Sequence, residues 1–163
     1  MADISSDVIL TIGATLSYAF EATAGTRPTT GYTKIPGIVS SPDFDVAYEK
    51  IETTTFDNKN NKTYRLGLKD LGDLEFKVNL SQPLFDLYYA ASTGIMDQYE
   101  TAKEAGKAMW ICFNPEGLNK SIYVPVEPQG PSIPAGSLQS VFQPTLRFTA
   151  SGDAIFGDDP TVA

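Results

Sequence analysis

The chain has 163 residues and a mass of 17.6 kDa, which predicts a single domain. Its 12 Lys and Arg residues against 20 Asp and Glu residues give a net charge of −8. Proteins that bind nucleic acid tightly are usually positively charged, so this charge disfavours tight nucleic-acid binding. The sequence contains no histidine, which excludes Ser-His and Cys-His catalysis and nearly every catalytic zinc site.

The first part of the chain predicts one long strand followed by a loop. Residues 8–20 alternate with period two, which is typical of a strand with one buried face, and Gly13 is the expected break. Residues 21–31 are rich in Gly, Thr and Pro and predict a surface loop. The N-terminal residues lack the basic stretch of a secretory leader, and together with the single Cys112 they predict assembly in a cytoplasm.

The middle of the chain predicts one strand, a polar loop and a hairpin. Apolar residues alternate with Asp43 and Asp45 over residues 43–48, and this strand continues through residues 49–56. Residues 57–62 contain no apolar side chain and predict a mobile loop. A hairpin turning at residues 69–72 is expected to join residues 64–68 to residues 74–80.

A helical insertion is predicted over residues 83–105. Leu84, Leu87, Tyr88 and Ala91 follow the i, i+3, i+4, i+7 spacing of an amphipathic helix, and Pro83 suits its first turn. Residues 97–105 offer a second helical segment.

The last third of the chain predicts further strands and a tail. The apolar run 108–113 indicates a strand buried on both faces, too short to span a membrane, with residues 122–126 as its hairpin partner. Pro125 predicts that this partner is kinked or at a sheet edge. A closing strand is expected within residues 138–149, and the acidic residues 153–163 predict a flexible tail after a core of about residues 7–152. The element order predicts a mainly β fold, an antiparallel β-sandwich or barrel with a short α-helical insertion.

No catalytic, cofactor-binding or metal-binding constellation is found. Asp43 and Asp45 share a strand side, but a solvated sheet face explains them better than a cation site. Cys112 lacks a His or cationic neighbour and is interpreted as core packing. Trp110, Tyr88 and Tyr89 could form a stacking platform for a sugar, although burial is the better interpretation.

Six stretches of the sequence together resemble one known family. Residues 13–16, 35–38, 44–56, 67–76, 106–117 and 141–152 are similar, in element order and turn positions, to the major tail tube proteins of long non-contractile-tailed bacteriophages, with the lambda-like siphovirus branch closest. The resemblance implies the tail-tube type of β-sandwich or barrel. It also implies a structural virion protein without enzymatic activity or cofactor.

The resemblance further implies how the protein would work. Copies would form hexameric rings that stack into the tail tube, the conduit for DNA ejection into the host. The implied partners are the protein itself, a tail-tip initiator, a tape-measure protein and a tail terminator. The location would be the phage tail, assembled in the host bacterial cytoplasm without membrane insertion. DNA would pass without specific binding, because an acidic wall repels phosphates.

Two sets of residues are predicted to serve such a tube. Asp43, Asp45, Asp73 and Glu75 lie on strands with one acidic and one apolar face and are expected to line the lumen. An inter-ring contact loop is expected around the polar segment, where cations would meet acidic residues of the adjacent ring; its residues are Asp57, Lys59, Lys62 and Arg65.

Two other functions stay open from the sequence. One is a secretion-system tube or another tail-derived ring protein, whose fold would be related. The other is a monomeric carbohydrate-binding β-sandwich module that uses the three aromatic residues named above.

Overall fold

A computed structural model describes residues 13–57 and 59–162, and this part of the chain is mainly β with two short helices. The helices are α1 (Gln82–Tyr89) and α2 (Ile95–Glu104). The strands are β1 (Thr15–Phe20), β2 (Thr30–Ile35), β3 (Ile38–Ser40), β4 (Ala47–Glu52), β5 (Tyr64–Asp70), β6 (Asp73–Val78), β7 (Met109–Asn114), β8 (Lys120–Pro128), β9 (Thr145–Ala150), β10 (Ile155–Asp158) and β11 (Thr161–Val162). The predicted fold class, mainly β and antiparallel with a helical insertion, is confirmed.

Nine strands form one sheet, in the order β11-β2-β1-β7-β8-β9-β6-β3, with β10 paired to β8 beside β9. All of its pairs are antiparallel except the short parallel contact of β11 with β2. Among the strands of the described ranges, β4 and β5 pair only with each other, as a separate two-stranded hairpin.

The large sheet curls into a half-barrel. Strands β6 and β7 are three positions apart, about 14 Å in a flat sheet, yet the rings of Phe76 and Phe113 lie 6.1 Å apart. The chain passes directly from β2 at one end of the sheet to β3 at the other, turning at Gly37 with φ +79°. A side chain there would meet the carbonyl of Asn79 at 3.0 Å, so the turn requires glycine.

The core fills the inside of this curl. Strand β6 shows the pattern clearly, because Leu74, Phe76 and Val78 are fully buried while the residues between them are exposed. The buried run predicted at residues 108–113 is confirmed as β7, and residues 122–126 are confirmed as its antiparallel partner within β8.

Helix α1 begins next to Pro83, as predicted, whereas α2 begins at Ile95, two residues before the predicted segment. The Ser81 hydroxyl accepts a hydrogen bond from the Leu84 amide at 3.3 Å, which caps α1, and Leu84 and Tyr88 are buried. Helix α2 follows Gly94, where any side chain would lie 2.6 Å from the Tyr88 carbonyl oxygen. The helices therefore pack closely at a position that only glycine allows.

The hairpin predicted across residues 69–72 is wrong. Strand β5 pairs with β4, whereas β6 pairs with β9 and β3. Gly72, at φ +68°, donates its amide to the Asp70 carboxylate at 2.8 Å, and this turn directs the chain from the separate hairpin into the large sheet.

Of the two alternatives predicted from Pro125, an edge strand or a kinked strand, the edge strand is wrong, because β8 lies inside the sheet. Strand β9 pairs with β8 from Val126 onward, and β10 pairs with β8 up to Tyr123. Pro125 stands between these two ladders, so its missing N–H falls in the gap. The closing strand predicted from residue 138 begins only at Thr145, after Pro144.

The flexible tail predicted for residues 153–163 differs from the structure, in which this segment carries β10 and β11. Lys120 and Asp158 form an ion pair at 2.7 Å, and the Arg27 guanidinium stacks 4.1 Å from the centre of the Tyr123 ring. The Tyr123 hydroxyl donates to the backbone carbonyl of Asp158. These contacts attach β10 to β8. The composition of the segment alone could not indicate this attachment.

Candidate assembly interface

The β4–β5 hairpin, residues 47–70, projects from the sheet and is called here the hairpin arm. Every residue of its two strands is exposed except Gly67, which is half-buried. Its tip, residues 54–62, is closed by Thr53 and Thr63, whose backbones bond at 2.8 Å and whose hydroxyls bond at 3.1 Å. The predicted polar loop is therefore the tip of an arm.

One face of the hairpin arm carries an exposed apolar row. Tyr64, Leu66 and Leu68 alternate along β5 and are 53%, 65% and 80% exposed. A two-stranded hairpin is marginally stable alone in water, and an uncovered apolar row adds to that instability. These properties are typical of a surface that becomes covered in an assembly.

The predicted inter-ring residues all lie on this arm and are exposed. Asp57, Lys59 and Lys62 are at the tip, and Arg65 is on β5 opposite Ile51. Among the described residues, no carboxylate forms an ion pair with Lys59, Lys62 or Arg65. The positive charges at the tip are thus available to another molecule.

The four carboxylates predicted for the lumen are exposed but fall into two groups. Asp73 and Glu75 share the outer face of β6, where Glu75 pairs with Arg147 at 2.7 Å and Asp73 accepts a hydrogen bond from Thr149 at 2.8 Å. Asp43 and Asp45 lie in an irregular segment, so the strand predicted over residues 43–46 is wrong, and β4 begins at residue 47.

Phe44, between the two Asp residues, stacks on Phe113 at 5.4 Å. Phe44 therefore faces the core while Asp43 and Asp45 face water, which is the alternation of a strand in a segment that is not a strand.

In residues 13–57 and 59–162, no group of three or more His, Cys, Asp or Glu side chains is placed to hold a metal ion. Neither helix in these ranges is long and apolar enough to cross a membrane.

The edges of the large sheet are only lightly covered. Within residues 13–57 and 59–162, the outer edge of β2 pairs with just two residues of β11, and the other end of the sheet is the three-residue β3, which contains a bulge. Unpaired strand edges present N–H and C=O groups to any further strand. Lateral addition of another chain at these edges is therefore chemically favourable.

The aromatic platform considered in the sequence is not formed. Tyr88 is fully buried in the main core. Trp110 packs in a smaller cluster with Tyr32, Cys112 and Tyr123. Burial raises the pKa of the Cys112 thiol, which agrees with its interpretation as core packing.

Glu21 is a buried carboxylate that the sequence analysis missed. It accepts hydrogen bonds from the Trp110 indole at 2.8 Å, the Gly25 amide at 2.9 Å and the Ala108 amide at 3.1 Å. Burial acts to raise its pKa, but these three donors outweigh burial and hold the pKa below its usual value. Glu21 therefore ties the loop after β1 to the start of β7.

We expect Glu21→Gln to lower the free energy of unfolding by about 2 kcal/mol. The side-chain amide of Gln has one oxygen acceptor and one NH₂ donor, so its NH₂ group would face N–H donors that now bond to the second carboxylate oxygen. A carboxylate with a lowered folded pKa stabilises above its unfolded pKa, and this contribution disappears as pH falls through the folded pKa. Urea unfolding from pH 7 to 3 should thus show a shallower acid decline in the variant. Equal slopes for the two proteins would contradict this role.

Comparison with solved structures finds a similar fold in chains taken from tube-containing assemblies. No protein-family model and no curated protein matches the sequence. A solved chain of the sheath-tube complex of an extracellular contractile injection system, PVC, has a TM-score of 0.61 and 14% identity, covering 98% of this chain and 99% of that one.

Two further solved structures show the same likeness. A chain of the tube terminating cap of the anti-feeding prophage has a TM-score of 0.56 and 14% identity, covering 98% and 100% of the two chains. A chain of the tail of an empty gene transfer agent particle, refined with C6 symmetry, has a TM-score of 0.50 and 14% identity, covering 77% and 86%. At this identity the likeness is one of fold.

Proposed function

We propose that this protein is a structural, non-enzymatic subunit of a phage tail tube. Copies join side by side into hexameric rings, and the rings stack into a conduit through which DNA leaves the capsid. The observation that carries the proposal is the fold, which matches chains from tube-containing assemblies over nearly the whole length of both chains. The lightly covered sheet edges supply surfaces for side-by-side contacts within a ring, and the exposed hairpin arm supplies a surface for contacts between stacked rings.

The ring is proposed to form by lateral pairing of sheet edges between neighbouring copies. Edge strands that are short and incompletely paired turn an aggregation hazard into a defined contact when the partner is the same protein. The six-fold count follows the sequence resemblance and agrees with the C6 symmetry of the gene transfer agent tail.

The lumen is proposed to be acidic, with Asp43, Asp45, Asp73 and Glu75 facing the DNA. A ring of six copies has a formal charge of 6 × −8 = −48, and a conduit of this sign repels phosphate and lets DNA slide. A density map of the assembled tube that places all four carboxylates on the outer surface would overturn this assignment.

The lambda-like, non-contractile type of tail remains the proposal of the sequence resemblance. The chains of similar fold include components of contractile injection systems, so the fold supports a tube without separating the two types. The proposed partners are a tail-tip initiator, a tape-measure protein and a terminator, and the proposed location is the virion tail, assembled in the host cytoplasm.

A secretion-system tube or another tail-derived ring protein is the second candidate, because the same fold supports it. The carbohydrate-binding module is not proposed, since Tyr88 is buried and the Trp110 indole donates a hydrogen bond to Glu21.

Negative-stain microscopy of the purified protein, with sizing chromatography, tests the main proposal. Uniform rings or tubes are expected, and a monomer that stays single even with its tail-tip initiator would refute it.

The charged tip gives a sharper prediction. Replacing Lys59 and Lys62 by Glu should shorten the tubes and make the remaining assembly less sensitive to added salt, because attraction across the ring junction is lost. The measurement is tube length and pelleted mass at 50 and 500 mM NaCl. Lys77→Glu on β6 is the control for a change of surface charge away from the arm. Unchanged length and yield in the double variant would contradict the contact.

A further inference from the structure

The molecule has an apolar groove outside the hairpin arm. Helix α1 and the loop 129–144 enclose a cavity of about 170 Å³, called here the α1 groove, whose lining includes Leu80, Leu84, Phe85, Tyr89, Ile133 and Pro144. The Leu80 amide donates to the Phe142 carbonyl at 2.9 Å, and the Gln129 amide donates to the Arg147 carbonyl at 2.9 Å, so both ends of the loop are held against the sheet.

The groove has room for an aromatic ring. An apolar cavity of about 150 Å³ accepts a benzene-sized group. Phe85, Tyr89 and Ile133 at its mouth are 46%, 47% and 60% exposed, so the opening is an apolar surface in contact with water. A group that filled it would cover these side chains.

A ring of suitable size stands at the tip of the hairpin arm. Phe56 is fully exposed and makes no aromatic contact with another described residue. Phe56 lies in water beside the charged Asp57 and Lys59, and no described residue of the same copy covers it. It presents about the largest apolar surface that a single side chain offers to a partner.

The arm and the groove are attached at opposite ends of β6. The arm joins the sheet at Gly72, just before β6 starts, while the groove is built on Leu80, just after it ends. The six residues of the strand separate these ends by about 17 Å. Two complementary patches that are attached at different points of one subunit can pair between copies as head-to-tail contacts, which continue as open stacks when they do not close.

Charge favours the same pairing. Residues 56–65 carry Lys59, Lys62 and Arg65 against Asp57, a sum of 3 − 1 = +2. Residues 82–104, which contain α1 and α2, carry Lys103 against four carboxylates, a sum of 1 − 4 = −3. In a protein with an overall charge of −8, the arm tip is a local positive region and the helical unit is negative.

We propose that the α1 groove of one copy receives Phe56 from the hairpin arm of a copy in the adjacent ring. This proposal rests on the proposed tube function and specifies its stacking contact. Phe56 is the apolar anchor in the groove, and the surrounding Lys and Arg residues face the acidic helices. The apolar row of β5 lies along the same path and is covered by the same docking.

The test uses cysteine pairs placed on different molecules. Protein with Thr55→Cys, an exposed position that keeps Phe56 intact, is mixed with protein with Ile133→Cys, assembled and oxidised; native Cys112 is 1% exposed and does not react. A disulfide-linked dimer is expected in the mixture, because Thr55 is next to Phe56 and a disulfide forms only when the two Cα atoms come within about 7 Å. Thr55→Cys mixed with Leu138→Cys is the control, since Leu138 is on the same loop as Ile133 and more exposed (106% against 60%) but does not line the groove.

Truncation supplies the second arm of the test. Phe56→Ala should reduce pelleted tubes at least tenfold while rings persist in the supernatant, and Phe56→Leu should restore most of the loss. Leu138→Ala should assemble like the unmodified protein. Tubes that form normally from Phe56→Ala, with no cross-link above the control, would overturn the groove contact and leave the tube function intact. An unmodified protein that forms neither rings nor tubes with its initiator would overturn both.

Discussion

Replacing Phe76 by Ala is expected to lower the free energy of unfolding by about 3–5 kcal/mol, a large share of the roughly 5–15 kcal/mol available to a domain of this kind. Phe76 is fully buried, and its ring lies 6.3 Å from Phe44, 6.1 Å from Phe113 and 6.0 Å from Phe148. Phe113 and Phe148 come from two strands of the curled sheet and Phe44 from the irregular segment before β4, so the cavity left by truncation cannot collapse from one side alone.

Urea unfolding followed by Trp110 fluorescence measures this loss. Phe156→Ala is the control, because Phe156 is 71% exposed on β10 and its removal should change stability by less than about 1 kcal/mol. A Phe76→Ala variant as stable as the control would mean that the inner faces of β6 and β7 do not meet.

Replacing Leu66 and Leu68 together by Glu is expected to abolish tubes and leave the fold intact. Both side chains are already exposed in the single chain, so the change costs the isolated subunit little. In an assembly, burying one Leu contributes about 1.5–3 kcal/mol, and that contribution is lost twice per arm. Buried carboxylates would add a further penalty.

Circular dichroism melting and pelleting together measure the two outcomes. The control replaces the same residues by Met, which keeps apolar surface of similar volume and should preserve assembly. Tubes of normal yield from the double Glu variant would show that the apolar row stays in water after stacking.

Sequence periodicity was sufficient where burial has a local cause. The alternation at residues 74–78 and the apolar run at residues 108–113 correspond to β6 and β7, because in both cases the buried face lies in the core of the same chain. The helix start at Ser81 was likewise signalled by Pro83 and the spacing of Leu84 and Tyr88.

Partner choice between strands could not be obtained in the same way. Residues 64–68 alternate as regularly as residues 74–78, so the sequence joined them in one hairpin, although the turn at Gly72 separates them. The strand pairing of the C-terminal segment could not be predicted for another reason. The pairing of β10 depends on Tyr123 and Lys120, which are more than thirty residues away in the chain.

Only part of the candidate interface could be predicted from the sequence. The charged tip could be proposed because residues 57–62 contain no apolar side chain, and the structure locates Lys59 and Lys62 on an exposed arm. The apolar row of Leu66 and Leu68 was missed because alternation has the same period whether the covering surface belongs to the same chain or to another copy. Glu21 gave no signal, since its three donors come together only through tertiary contacts.

The separation of the hairpin arm from the large sheet has an evolutionary consequence. Because β4 and β5 pair with no other strand among the described residues, substitutions along them escape the selection that folding imposes on β6 and β7. In the proposed tube they would be constrained instead by the groove that receives them. Arm and groove would then be free to diversify together, and the parts of two lineages in one host would cease to interchange.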